Sequence, residues 1–159
     1  MTREFLPPEQ WYETLPTVYA SACGFITDAR GRVLLVKPNY RPYWALPGGL
    51  VDEGELPHEA CVRELREELG LTLGAGALLA VDWAPAEGVR PRPMVNWLFD
   101  AGELDADTIA RIRLQEDELD DFALVAPDDA KDYLPGHTSP RVAAALTARR
   151  ENRTVYLPR

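Results

Sequence analysis

The sequence has few of the residues that build zinc sites, since it contains two cysteines and two histidines in 159 residues. Cys23 and Cys61 stand among apolar neighbours, so we expect both to be reduced thiols in the protein core. His58 and His137 are too widely scattered along the chain to build a zinc site. A zinc-binding protein is therefore excluded.

Long hydrophobic runs are also missing. The longest, such as residues 33–36 (VLLV), are far shorter than the roughly 20 residues that a membrane-spanning helix needs. The first ten residues contain Glu4, Pro7 and Pro8 and no apolar centre, which is not the pattern of a secretory signal. We therefore expect a cytoplasmic protein with no membrane partner.

Positive charge is scarce. The 17 lysines and arginines are outnumbered by 26 aspartates and glutamates, which gives a net charge of -9. Duplex nucleic acid and anionic membranes both need a cationic surface, so we expect neither as a partner. A polyanionic small molecule would also be repelled unless a cation stood between it and the protein. The charge balance thus gives a first indication of a divalent metal.

Apolar residues, by contrast, are plentiful enough for one core, because the chain is 46% hydrophobic and 27% charged. Its length is close to that of a single globular domain. No repeat, low-complexity tract or linker interrupts it. We expect one domain over residues 1–159, with residues 1–16 as an N-terminal extension.

Short runs rich in small and β-branched residues predict strands, and longer segments between them predict helices. The predicted strands are residues 17–27, 32–37, 77–83, 94–101 and 122–126. The predicted helices are residues 56–70, 127–133 and 139–150. Strands that come first and surround one mid-chain helix indicate an α+β protein, with a mixed β-sheet between helices in an α/β/α sandwich.

Residues 48–71, GGLVDEGELPHEACVRELREELGL, gather seven acidic residues and two arginines. On a helix, four apolar side chains form one stripe that we expect to face the core: Cys61, Val62, Leu65 and Leu69. Glu64, Glu67 and Glu68 fall together on the opposite side, within an arc of about 100°. Glu59 and Arg66 point elsewhere, toward water.

Two interpretations of this acidic face remain open. Like charges at these spacings cost a helix only roughly 0.2–0.5 kcal/mol each, so a merely solvated face is tolerable, and Arg63 can pair with Glu59 and Glu67. Alternatively, three converging carboxylates would hold a hard divalent cation such as Mg²⁺. The adjacent bend at residues 47–49 (PGG) lets bare backbone approach a ligand, which favours phosphoryl chemistry.

Gly49 is followed after five residues by Glu55, and after seven more by residues 63–71, RELREELGL. This arrangement resembles the Nudix box without a single departure. The segments before and after it resemble the Nudix fold over nearly the whole chain, from about residue 17 to residue 150. The resemblance implies a nucleotide hydrolase and favours the metal-site interpretation of the acidic face.

The resemblance also implies roles for the box residues. The implied ligands of Mg²⁺ or Mn²⁺ are three carboxylates and one backbone carbonyl, those of Glu64, Glu67, Glu68 and Gly48. Arg63 would orient the glutamates through salt bridges. Glu55 would support the helix or assist the catalytic base.

The family further implies a carboxylate from a later loop. The acidic residues 115–122, QEDELDDF, lead into a predicted strand, and Glu118 stands at the usual place, with Glu116 as the second choice. This carboxylate would serve as a metal ligand or as the base. A solvated acidic loop is the alternative interpretation.

The implied reaction is Mg²⁺-dependent hydrolysis of a nucleoside diphosphate linked to another moiety, or of a nucleoside triphosphate. A metal-activated water would attack a phosphorus, and Glu67 or Glu118 would take its proton. The alternative is a non-catalytic Nudix-like nucleotide sensor, although such domains generally lose the box glutamates that this chain keeps. The implied partner is thus a small nucleotide, and a homodimer is a further implication.

Candidates for substrate contact lie outside the box. Arg90 and Arg92 are paired cations that would grip a phosphate or a ribose, or simply solubilise their loop. An aromatic side chain would stack a base, or would pack in the core instead. The aromatic candidates are Trp44, Tyr43, Trp83 and Trp97.

Overall fold

The computed structural model describes residues 5–158, which form one seven-stranded mixed β-sheet with helices around it. The strands are β1 (Tyr19–Asp28), β2 (Val33–Pro38), β3 (Gly48–Leu50), β4 (Leu78–Ala84), β5 (Met94–Leu104), β6 (Leu119–Val125) and β7 (Val155–Pro158). They lie in the order β6-β2-β1-β5-β4-β7, with β3 paired to β1. The pairs β1–β5 and β4–β7 are parallel and the other pairs are antiparallel. The predicted fold class is confirmed.

The helices are α1 (Pro8–Glu13), α2 (Pro57–Leu69), α3 (Ala106–Ala110), α4 (Ala130–Tyr133) and α5 (Pro140–Glu151). The segment predicted as one helix over residues 127–133 is a 3₁₀ turn, Pro127–Asp129, followed by the single turn of α4. Of the predicted N-terminal extension, residues 1–4 lie outside the described part of the chain. Helix α1 occupies part of the rest.

The first four residues of strand β2 are all apolar because an apolar cluster covers each face of the sheet. Leu34 and Val36 pack with helix α2 on one face, while Val33 and Leu35 pack with helix α5 on the other. Successive side chains of a strand point to opposite faces, so a strand covered on both sides needs apolar residues throughout. The layers are therefore helix, sheet and helix, as the sequence predicts.

Helix α2 begins and ends where the sequence predicts. Pro57 occupies its first turn, and Gly70 ends it in the left-handed conformation at φ 66°. Glu59 accepts a 3.0 Å hydrogen bond from the backbone N–H of Leu56, so its carboxylate closes the first turn of the helix. A pair between Glu59 and Arg63 was one possibility, but the carboxylate of Glu59 binds the start of the helix instead.

Four short elements were not predicted: α1, β3, α3 and β7. Elements of three to six residues show too few periodic positions to be recognised in a sequence. Strand β7 also depends on a tertiary contact, because it follows the left-handed Asn152 and pairs with β4. Within residues 5–158, no helix combines the length and the apolar character that crossing a membrane requires.

Candidate active site

Two glycines of strand β3 bring the chain against the carboxylates of helix α2. Gly48 and Gly49 pair with Cys23 and Ala22, respectively, in β1. A Cβ on Gly48 would collide with the carbonyl of Ala22, and the φ of Gly48 is 138°, so only glycine fits there. A Cβ on Gly49 would collide with the carboxylate of Glu64. The bend therefore packs closely against strand β1 and the carboxylate of Glu64, while its predicted approach to a ligand stays a prediction.

Glu68 lies inside the protein, with 6% of its surface exposed. Its Oε2 accepts a 2.7 Å hydrogen bond from the backbone N–H of Gly48. Burial raises the pKa of Glu68 to about 8, against the opposing effect of that hydrogen bond. The prediction that Glu68 lies opposite the apolar stripe is wrong, because seven residues make almost two full turns and carry it back above Cys61.

Arg63 joins the loop before the helix to the acidic face. Its Nε and Nη2 donate to the two carboxylate oxygens of Glu55 at 2.9 and 3.0 Å. Its Nη1 donates to Glu64 at 2.8 Å and to Glu67 at 3.1 Å, and Nη2 also reaches the carbonyl of Leu50 at 2.9 Å. The hydrogen bonds from Arg63 lower the pKa of Glu55. Arg63 thus holds three carboxylates in fixed positions.

The acidic face fits a hard cation by its donors, although it is not a ready-made set of metal ligands. Among residues 5–158, no three His, Cys, Asp or Glu side chains are gathered closely enough to hold a metal ion. Arg63 engages Glu64 and Glu67, while Glu68 turns to Gly48. Burial raises the pKa of Glu64 as well as that of Glu68, because ionised oxygens lose their water there. Such carboxylates suit Mg²⁺.

Glu118 approaches this face from the turn before β6. Its negative charge, added to the larger effect of burial, helps to raise the pKa of both Glu64 and Glu68. The turn is tied down because the backbone N–H of Asn39 donates to the carbonyl of Glu118 at 2.9 Å. The backbone N–H of Gln115 reaches the carbonyl of Glu68 at 3.2 Å. Glu118 is therefore near enough to act on the charges of Glu64 and Glu68, an effect that Glu116, exposed in the same turn as Glu118, does not show.

A cavity of about 190 Å³ opens next to Glu68. Its walls include the box glycines, the aromatic residues Tyr43 and Trp44, and two arginines from distant segments, Arg41 and Arg141. Trp44 packs edge-on against Tyr133, with 5.6 Å between the ring centres. Of the four aromatic candidates, Tyr43 and Trp44 line this cavity.

The other sequence candidates for substrate contact lie elsewhere. Arg90 donates a 2.7 Å hydrogen bond to the carbonyl of Pro85, and the guanidinium of Arg92 stands 5.9 Å from the centre of the Tyr19 ring. Neither lines the cavity, so the geometry gives no support to their predicted role. Trp97 packs against the apolar cluster under helix α2.

Two cavity residues were missed or misplaced by the sequence analysis. Arg141, at the start of α5, forms a 2.7 Å salt bridge through Nε with Asp82 of β4. An aspartate inside the apolar stretch 77–83, ALLAVDW, was a signal that a cation lies nearby. Cys23 packs against the apolar cluster beside helix α5, as expected of a core thiol, but it also lines the cavity, and burial raises the pKa of its thiol to about 11. Cys61 is buried as predicted.

The NUDIX domain family matches residues 18–150. The chain belongs to this family. The resemblance drawn from the box is thereby confirmed.

Curated relatives share parts of the chain. It is 41% identical over 98 residues to the ADP-ribose pyrophosphatase of Methanocaldococcus jannaschii, a match that covers 58% of each protein. It is 46% identical over 54 residues to a putative 8-oxo-dGTP diphosphatase of Bacillus subtilis, covering 34% of this chain and 36% of the relative. The matches therefore span less than two thirds of these relatives.

A solved structure of MutT protein from Methanosarcina mazei Go1 has the same fold, with a TM-score of 0.69 and 24% identity. The similarity covers 87% of this chain and 98% of that one. The structural similarity thus extends beyond the Nudix box to the sheet and the flanking helices. At this identity the likeness concerns the fold alone.

Proposed function

We propose that this protein is a Mg²⁺-dependent Nudix pyrophosphohydrolase. Its substrate would be a nucleoside diphosphate linked to another moiety, or a nucleoside triphosphate. The observation that carries the proposal is the buried Glu68, which lines the cavity and shares helix α2 with the Arg63-bound Glu64 and Glu67. An acidic face that merely met solvent would not need a carboxylate inside the protein.

Mg²⁺ or Mn²⁺ would be held by four carboxylates and one backbone carbonyl. The carboxylates are those of Glu64, Glu67, Glu68 and Glu118, and the carbonyl is that of Gly48. When bound, the metal would neutralise phosphate charge and lower the pKa of an attacking water. Its positive charge would also favour the ionised forms of the two glutamates whose pKa burial raises.

The protein's own groups would orient the reactants and move the proton. Arg63 keeps the carboxylates apart and directed, since one planar guanidinium contacts Glu55, Glu64 and Glu67. As the water oxygen bonds to phosphorus, the bond to the bridging oxygen breaks and that oxygen leaves with the other phosphate. The water's proton passes to Glu67 or Glu118. Glu67 accepts a 3.1 Å hydrogen bond from Arg63, and Glu118 is exposed in the turn before β6.

A nucleotide panel with and without Mg²⁺ tests the proposal. ADP-ribose, dinucleoside polyphosphates, and canonical and oxidised triphosphates would be scored for release of a nucleoside monophosphate. We expect release from at least one of them that needs the metal and stops with a chelator. Binding of a nucleotide without any turnover would instead support the nucleotide-sensing alternative.

Three further expectations stay predictions. These are a single domain over residues 1–159, a homodimer, and a cytoplasmic location. Light scattering after size-exclusion chromatography would test the second directly.

A further inference from the structure

Arg141 lines the cavity and is held there by Asp82, a residue outside the Nudix box. Its side chain is 11% exposed, and its Nε bonds to Oδ2 of Asp82 at 2.7 Å. Asn96, also on the cavity wall, accepts a 2.6 Å hydrogen bond from the hydroxyl of Ser21. The bond to Asp82 uses Nε, and Nη1 and Nη2 carry the other N–H donors of a guanidinium that lines the cavity, where a ligand can meet them.

The salt bridge also decides which ligand this arginine suits. Asp82 is 2% exposed, so its charge stands close to the guanidinium with little water between them. The Arg141–Asp82 pair therefore attracts a free phosphate only weakly. The guanidinium of Arg141 still offers parallel N–H donors in one plane. Two neighbouring neutral acceptors in one plane match such a pair of donors.

The cavity walls indicate a planar ligand. Tyr43 and Trp44 supply aromatic surface, and Leu46 and Met94 add apolar surface beside the polar Arg141. A cavity of about 190 Å³ suits one part of a ligand, such as a ring system, since pockets for whole ligands usually measure roughly 300–1,000 Å³. Glu68 lines the same cavity, so a base seated there would leave its phosphates beside the carboxylates.

We propose that Arg141 is a specificity-determining residue that binds the base of the substrate through two adjacent acceptors, the pattern that O6 and N7 of guanine present. Adenine places an amino donor where guanine has O6, so the same N–H groups would oppose it. The inference rests on the proposed function, because it assigns a base to the nucleotide hydrolysed there.

Kinetics with matched substrates test this assignment. GTP and ATP, and guanosine and adenosine diphosphate sugars with the same sugar, would be compared by kcat/KM. We expect a preference for the guanine member of roughly ten- to a hundredfold. Inosine nucleotides, which keep O6 and N7, should follow guanine, and 7-deazaguanine nucleotides should lose most of the preference. Equal kcat/KM for guanine and adenine members would overturn the proposal.

Replacing Arg141 alone would remove the salt-bridge partner of the buried Asp82, and losing one member of a buried ion pair is strongly destabilising. We therefore pair Arg141→Met with Asp82→Asn and expect the double variant to lose the base preference while its thermal unfolding stays cooperative. Arg150→Met is the matched control on helix α5, since that side chain is 71% exposed and should leave the preference unchanged. A double variant that keeps the preference would overturn the proposal.

A binding measurement separates this inference from the proposed hydrolysis. GMP and AMP would be titrated without metal, with Trp44 fluorescence as the signal and Trp44→Phe as its control. We expect GMP to bind roughly tenfold more tightly than AMP, and the difference to vanish in the double variant. Tighter binding of GMP than of AMP, with no hydrolysis of any substrate, would refute the proposed function but not the base contact. Hydrolysis with equal affinities for GMP and AMP would refute the base contact but not the proposed function. Hydrolysis with equal losses of both affinities in the double variant would have the same meaning.

Discussion

The backbone N–H of Gly48 donates a 2.7 Å hydrogen bond to the carboxylate of Glu68, which stands twenty residues later in the chain. This bond joins the glycine bend to the C-terminal half of helix α2. The carboxylate of Glu68 is buried, and burial raises its pKa to about 8. The charge of Glu68 is therefore poorly compensated in the metal-free protein, and the first prediction follows from that imbalance.

Without metal, stability should fall as pH rises. The ordinary pKa of the Glu68 carboxyl is 4.5 in the unfolded chain, and burial raises it to about 8 in the folded protein. Between these values the folded state binds more protons, so stability is complete below about pH 4.5 and decreases until about pH 8. Thermal unfolding in a chelator from pH 4 to 9 measures this. Glu68→Gln should flatten the slope, and an unchanged slope in that variant would show that another group causes the pH dependence.

Glu67→Gln and Glu68→Gln should each lower Mg²⁺-dependent turnover by roughly a hundredfold or more, because each removes a charged oxygen from the site. Both should fold normally, as circular dichroism would show, since an amide is nearly the same size. Glu59→Gln is the matched control on helix α2, because an amide oxygen can still accept the bond from Leu56. Near-normal turnover of both site variants at saturating Mg²⁺ would exclude these ligands.

Arg63→Lys should reduce turnover by roughly ten- to a hundredfold. A lysine ammonium cannot reproduce the planar contacts with Glu55, Glu64 and Glu67 at once. Because the carboxylates would be positioned less precisely, half-maximal activity should require a higher Mg²⁺ concentration. Arg66→Lys, an exposed change on the same helix, should leave that concentration unchanged. A shift of equal size in both variants would count against the positioning role.

Two alanine substitutions at neighbouring glycines should separate a metal defect from a folding defect. At Gly49 the added methyl meets only the flexible end of Glu64, so Mg²⁺ affinity should fall while the unfolding temperature changes little. At Gly48 it meets the backbone of Ala22 at a left-handed φ, which should lower the free energy of unfolding by roughly 1–3 kcal/mol. Gly74→Ala is the control, since open space surrounds that position. Calorimetry and Mg²⁺ titration measure both effects.

The parts of the site that the sequence predicted are those built within one segment. Arg63, Glu64 and Glu67 stand within five residues on one helix, so helical geometry alone brings them together. The burial of Glu68 was missed because a helical wheel shows directions around one helix and not what covers each direction. Strand β3 and the Gln115 backbone, which surround Glu68, come from other segments.

The cavity was predicted least well. Arg41, Asn96 and Arg141 are far apart in the chain. The pairing of β2, β1, β5 and β4 and the packing of α5 bring their segments to one place. Arg90 and Arg92 looked suitable because they are close in sequence, but neighbouring positions on a loop do not determine where the side chains meet.

The sequence by itself determined the family, the two-sided sheet and the acidic helix, because box spacing and residue periodicity are local properties that every neighbouring residue reinforces. Only the tertiary structure decided which carboxylate lost its water and which arginine reached the cavity. Both depend on long-range contacts, where burial removes solvent from a charge and a distant partner replaces it.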